Sequence, residues 1–130
     1  MVPIIKKSDE KALSELMESI PLSGRTKELG ILQSELRRAK IVADNKISEK
    51  VIQLGSSFEI IDIASGKRLN FKLTFPQNAN LAENKLSILS PLGVALIGFE
   101  EGQEIEWPLP AGIRKFKIEK VSQSESILSA

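Results

Sequence analysis

The chain has 130 residues, enough for one compact domain or one domain with a small appendage. Its 18 Lys and Arg stand against 17 Asp and Glu, so a net charge of +1 gives no basis for tight non-specific nucleic-acid binding. With no cysteine and no histidine, disulfides, thiolate nucleophiles, Cys/His zinc sites and imidazole acid–base chemistry are excluded.

The opening stretch MVPIIKKSDEK sets a short apolar patch before its lysines, the reverse of a secretory signal. No stretch approaches the roughly 18 apolar residues of a membrane span. These features predict a soluble, cytoplasmic protein with no membrane partner. Ser8 is the expected N-cap of a first helix, with Asp9 and Glu10 in its first turn, where the helix dipole favours negative charge. Leu13, Leu16, Met17 and Ile20 then recur at i, i+3, i+4, i+7 as one apolar stripe. Pro21 ends that helix.

A turn follows over residues 21–25, with Leu22, Ser23, Gly24 and Arg25 at its tip. A second helix is predicted over residues 26–43, its seam built from Leu29, Leu32, Leu36, Ala39 and Ala43. The two helices read as an antiparallel hairpin, a short coiled coil with an arm of roughly 27 Å. Periodicity alone favours a plain two-helix cap lying over a sheet.

Residues 44–50 are polar and read as a connector. From Val51 onward the period changes to alternation. A first strand covers residues 58–63, and a turn at Gly66 leads to a second, in which Leu69, Phe71 and Leu73 alternate with Asn70, Lys72 and Thr74. Pro76 ends it, and residues 77–83 form a loop. Leu86 and Ile88 mark a third strand. Ser90 and Pro91 open a short apolar helix over residues 92–97, closed by Gly98. Ile105, Trp107 and Leu109 alternate in a fourth strand, with Trp107 expected in the core. Pro110-Ala111-Gly112 turns the chain into a fifth strand over residues 113–121, with Phe116 and Ile118 on one face. The Ser-rich tail from Ser122 is expected to fray. The fold class is α+β: a helical hairpin, then a mostly antiparallel sheet holding one short helix.

The run Asn84-Lys85-Leu86-Ser87-Ile88-Leu89-Ser90-Pro91-Leu92-Gly93-Val94-Ala95-Leu96-Ile97-Gly98 resembles the C-terminal domain of the GreA/GreB superfamily. The Gly turn at Gly102, the following strand and Pro110-Ala111-Gly112 continue the likeness. Gln103 departs from it, since an Asp is common there. The resemblance implies an FKBP-like domain over residues 48–122, after a hairpin over residues 1–47 and before a flexible tail over residues 123–130. The short hairpin resembles the branch known as regulators of nucleoside diphosphate kinase.

The resemblance implies a non-enzymatic transcription regulator with no cofactor. It would bind bacterial RNA polymerase at the secondary-channel rim and compete with Gre-type factors. Candidate contacts are Ser90, Pro91, Leu92 and Gly93, with Gln77, Asn78 and Asn80 of the neighbouring loop. In cleavage-competent relatives, acidic residues at the hairpin tip help to hold a magnesium ion, a hard cation that prefers oxygen ligands. Here the tip carries no acid, and Arg25 has the opposite sign. Glu18 and Glu28, flanking the turn, read as solvated helix surface. No stimulation of transcript cleavage is expected.

Arg114, Lys115, Lys117 and Lys120, with Arg37, Arg38 and Lys40, could meet acidic polymerase surface or nucleic acid in the transcription complex. The interspersed acids favour a solvated face instead. A monomer is expected, because each helix can bury its stripe within the chain. Two alternatives remain: an FKBP-like prolyl isomerase, against which stands the lack of an aromatic cluster, and a direct regulator of nucleoside diphosphate kinase.

Overall fold

The computed structural model describes residues 2–109 and 111–123. Ile4–Lys6 form a strand, β1, at the apolar patch before the first helix. It pairs in parallel with β2, Lys40–Val42, matching Ile4 to Lys40 and Lys6 to Val42. Branching at Cβ in Ile4, Ile5, Ile41 and Val42 favours this extended backbone over helix. The second helix, α2, is accordingly Lys27–Arg38, and does not run on to residue 43. Its length is about 18 Å rather than the expected 27 Å.

The first helix, α1, is Lys7–Ser19, so Ser8 lies inside it rather than capping it. The Ser8 N–H donates instead to Oδ1 of Asp44, at 3.0 Å, so an acid from beyond α2 serves the helix start. Hydrogen bonds from the Ser8 side chain and backbone hold the Asp44 carboxyl below its usual 3.8. Thr26 caps α2 through its hydroxyl, which accepts from the Leu29 N–H at 3.2 Å.

Five strands form the main sheet: β3 (Ser57–Asp62), β4 (Arg68–Thr74), β5 (Lys85–Ser87), β6 (Glu104–Leu109) and β7 (Gly112–Ser122). Their order is β5-β4-β3-β7-β6, antiparallel throughout except for the β4–β5 pair. The α+β architecture is as the sequence predicts. Phe58 and Ile60 of β3 face inward opposite Val121 and Ile118 of β7. Strict alternation would leave Val121 on the outer face. The register shifts between Glu59 and Ile60, and this extra residue in β7 returns Val121 to the core.

Helix α3, Pro91–Leu96, packs against α2 and β6, while α1 lies against β1 and β2. Leu13 and Met17 of α1 and Leu29, Leu32 and Leu36 of α2 join Phe58, Ile60, Leu73, Leu96 and Ile118 in a single apolar cluster. The helices therefore lie on the body of the protein and do not project as an arm. Gly98 marks where β1 crosses the end of α3: its carbonyl accepts from the Ile4 N–H at 2.8 Å, and its φ of +85° suits glycine.

Two polar ties hold the connector to the rest. Asp9 is buried, and its Oδ2 accepts from the Leu54 N–H at 3.2 Å. Burial raises its carboxyl above the usual 3.8, opposed by the nearby Lys6 cation. At the other end, Ser122 is the last residue of β7 and Gln123 is clasped rather than frayed. Gln123 Oε1 accepts from Ser56 Oγ at 2.6 Å, and its Nε2 donates to the carbonyls of Glu49 and Val51 at 3.1 and 2.9 Å. Pro110, the tail over residues 124–130 and the Trp107 side chain, for all of which the sequence raises expectations, lie outside the described residues.

Candidate interaction surface

The residues that carry the family likeness are mainly backbone architecture. Ser90 caps α3, its hydroxyl accepting from the Gly93 N–H at 3.0 Å and donating to the Ser87 carbonyl at 2.7 Å. Pro91 stands at the first helical position, where its missing N–H costs nothing. Gly93 is buried, and a Cβ there would collide with the Ser87 carbonyl oxygen and sit 3.0 Å from Ser90 Oγ. Asn84 adopts the left-handed conformation, φ +60°, that ends the preceding turn. Gln103 fills the role an Asp could take: its Oε1 accepts from the Glu100 N–H at 2.8 Å and closes the turn.

The four α3 candidates thus divide. Gly93 is held inside, Ser90 is engaged with backbone, and Pro91 and Leu92 remain half-buried. Val94, Ala95, Leu96 and Ile97 are core.

The loop candidates are different. Pro76–Asn78 and Leu81–Glu83 are single 3-10 turns, and Gln77, Asn78 and Asn80 are exposed. Asn80 Oδ1 accepts from the Ala82 N–H at 3.0 Å, and its backbone exchanges two 2.9 Å bonds with Lys85. The loop is therefore fixed at its neck while its tip meets solvent. Leu81, 67% exposed, was not among the sequence candidates. A bare leucine beside a turn asparagine was the available signal.

Asn78 also lines a groove of about 410 Å³, together with Leu54, Lys72, Phe75 and Lys85. Neither Ser90, Pro91, Leu92 nor Gly93 lines it. A second groove, about 230 Å³, shares Lys72 and includes Phe58 and Phe71, whose rings stand 6.2 Å apart. Phe58 is buried, so this aromatic pair is mostly core.

At the other pole, Leu22–Gly24 make a 3-10 turn in which Leu22 is 85% exposed. Arg25 donates from Nη2 to the Met17 carbonyl at 3.3 Å, a cation placed at the C-terminal end of α1. The tip holds no carboxylate, and Arg25 is unsuited as a cation ligand. Glu18 is exposed and Glu28 half-buried.

Five of the candidate basic residues meet acids. Arg114 pairs with Asp62 at 2.9 Å and Arg38 with Glu35 at 2.9 Å. Across the sheet, Lys115 faces Glu106, Lys117 faces Glu104 and Lys120 faces Glu59. This is a mixed ladder and not a cationic stripe.

A family model described as "Transcription elongation factor, GreA/GreB, C-term" matches residues 47–123. Transcription elongation factor GreA of Syntrophus aciditrophicus is 34% identical over 97 residues, 75% of this chain and 58% of that protein. The GreA of Thermodesulfovibrio yellowstonii is 34% identical over 101 residues, 78% of this chain and 62% of that protein. The chain thus spans 58% to 62% of the length of these relatives. Among solved structures, a prokaryotic transcription elongation factor GreA/GreB from Nitrosomonas europaea superposes with a TM-score of 0.76 at 29% identity, covering 94% of this chain and 98% of that one. Gfh1, a GreA factor homologue of Thermus thermophilus, gives 0.50 at 25% identity, covering 93% and 99%.

Proposed function

This chain belongs to the GreA/GreB transcription elongation factor family, and from that premise we propose that it is a non-enzymatic factor that docks on bacterial RNA polymerase at the secondary-channel entrance. The docking surface is the loop over residues 76–84 with the outer side of α3, and Gln77, Asn78, Leu81 and Leu92 are its contact residues. The observation that carries this reading is an apolar side chain, Leu81, held out to solvent on a loop whose neck is fixed by paired hydrogen bonds. Such a preorganised, partly apolar projection loses little entropy on binding. Ser90 and Gly93 act from beneath, by fixing where α3 begins.

The factor does not stimulate transcript cleavage. Its tip offers Leu22 and a committed Arg25 where a magnesium ion needs oxygen ligands. The helices also pack onto the sheet body, so the tip stays close to it. The chain acts alone as a monomer and competes with longer factors for the same rim.

Co-migration with core polymerase at low ionic strength tests the reading. Wild-type protein is expected to bind, and combined Gln77→Ala, Asn78→Ala and Leu81→Ala substitutions are expected to abolish binding while leaving the fold intact. Full retention by the triple variant would remove the loop from the account. Shortened transcripts from a backtracked complex on adding the protein would overturn the cleavage-negative assignment.

A further inference from the structure

Strands β4 and β5 are parallel and in register, which sets Lys72 directly beside Lys85 on one face of the sheet. Like charges so placed repel one another and weaken a sheet. One acid stands near the pair, for Glu83 also lines the adjoining groove of about 230 Å³ with Lys72. Lys85 Nζ reaches Oε1 of Glu83 at 3.1 Å, with both side chains exposed to water. Lys72 has no ion pair among the described residues.

Both lysines open onto the groove of about 410 Å³, and no Asp or Glu lines it. That volume falls within the range of small-molecule sites and exceeds what a lone inorganic anion fills. The remaining wall is supplied by Leu54, Gly55, Leu73, Thr74 and Phe75, with Asn78. No hydrogen bond within the described residues occupies the Asn78 side-chain amide, which is exposed.

From this juxtaposition we infer that the groove is a binding site for a phosphorylated small molecule carrying a flat, weakly polar ring, the chemistry of a nucleotide. A phosphate group near neutral pH brings close to two negative charges and three acceptor oxygens. It can bridge Lys72 and Lys85 and cancel their mutual repulsion, which a single carboxylate does incompletely. Phe75 and Leu54 cover the ring, and the Asn78 amide offers one donor and one acceptor to its edge. Glu83 is the internal competitor: it holds Lys85 in the empty groove and yields it to the ligand. The groove shares Asn78, and through the Lys85 ion pair Glu83, with the proposed docking loop, but ligand binding by the free chain is measured without polymerase.

Titration of the full chain with adenosine diphosphate, inorganic phosphate and adenosine, by calorimetry and by amide chemical shifts, tests the inference. Saturable binding of the diphosphate is expected, with phosphate weaker and adenosine weaker still. Shifts should centre on residues 54–55, 72–75, 78 and 85. Lys72→Ala and Lys85→Ala should each weaken binding about tenfold, the loss expected for one charge-assisted contact. Glu83→Gln should tighten binding, which a purely structural role for Glu83 cannot produce. Lys72→Gln, which keeps a long polar side chain, separates charge loss from misfolding, and circular dichroism checks the fold of each variant. The inference is overturned if neither phosphate nor diphosphate binds saturably at millimolar concentration. It is equally overturned if adenosine binds as well as the diphosphate, or if a folded Lys72→Gln variant binds as wild type does.

Discussion

The N-terminal region, residues 2–50, and the sheet region, residues 51–123, differ in how much of their strand pairing is local. In the sheet region, β3 with β4 and β6 with β7 are antiparallel neighbours joined by short turns. In the N-terminal region, β1 and β2 are parallel, and both helices intervene between them. Yet the two regions share one apolar cluster. Leu13 and Leu32, at 0% exposure, are as buried as Ile60 and Leu73 of the sheet. A boundary drawn near residue 47 therefore separates two styles of construction and not two cores.

Leu32→Ala tests that most severely. Truncating a fully buried leucine costs about 2–5 kcal/mol. With a shared core, urea unfolding should show one transition, displaced equally for probes in α2 and in the sheet, and Leu73→Ala in β4 should behave alike. Two separated transitions would break the comparison. Next comes a contrast of two helical glycines. Gly93→Ala forces a methyl group against the Ser87 carbonyl and should cost about 1–3 kcal/mol. Gly30→Ala, on α2 with nothing beyond its own stretch of helix within 4 Å of the new carbon, should stabilise by about 0.5–1 kcal/mol. Thermal unfolding of the pair reads both signs.

Asp9 sharpens the comparison through pH. Its folded carboxyl titrates above 3.8, so the folded chain takes up that proton before the unfolded chain does. Its own contribution therefore grows as pH falls toward 3.8 and fades as pH rises through the folded value. Asp44, and Glu101, whose carboxylate accepts from the Val121 N–H at 2.9 Å, have lowered values and act in the opposite sense: their contribution is present above the unfolded value and is lost as pH falls through the folded one. Asp9→Asn keeps an acceptor for the Leu54 N–H and removes the buried charge. It should leave stability at pH 7 equal or higher and make acid unfolding steeper. An unchanged pH profile would show that Asp9 is already solvated.

The sheet was legible because alternation and turn residues are local signals. Leu69, Phe71 and Leu73 announce β4, and Ser90-Pro91 with Gly98 announce α3 almost to the residue. What escaped the sequence depended on distant partners. Ile41 and Val42 continue a helical spacing acceptably, and only pairing with Ile4–Lys6 makes them a strand. Ser8 has the chemistry of a cap, yet Asp44 supplies the acceptor. The β7 irregularity leaves no mark in a pattern read strand by strand. For the candidate surface, Pro76 and the polar run after it mark residues 77–80 as a loop. The pairing of Lys72 with Lys85 could not be read, since a parallel register is invisible without coordinates.

The Gln123 clasp bears on how the chain is made. Ser56, Glu49 and Val51 receive their partner from a residue lying 67 to 74 positions downstream. During synthesis the helices and the β3–β4 hairpin leave the ribosome long before that glutamine. The segment over residues 49–56 lacks those three bonds until Gln123 is made, although Asp9 can already accept from the Leu54 N–H. The Gln123 latch is a long-range contact, of the kind whose loop-closure entropy must be met before the contact forms.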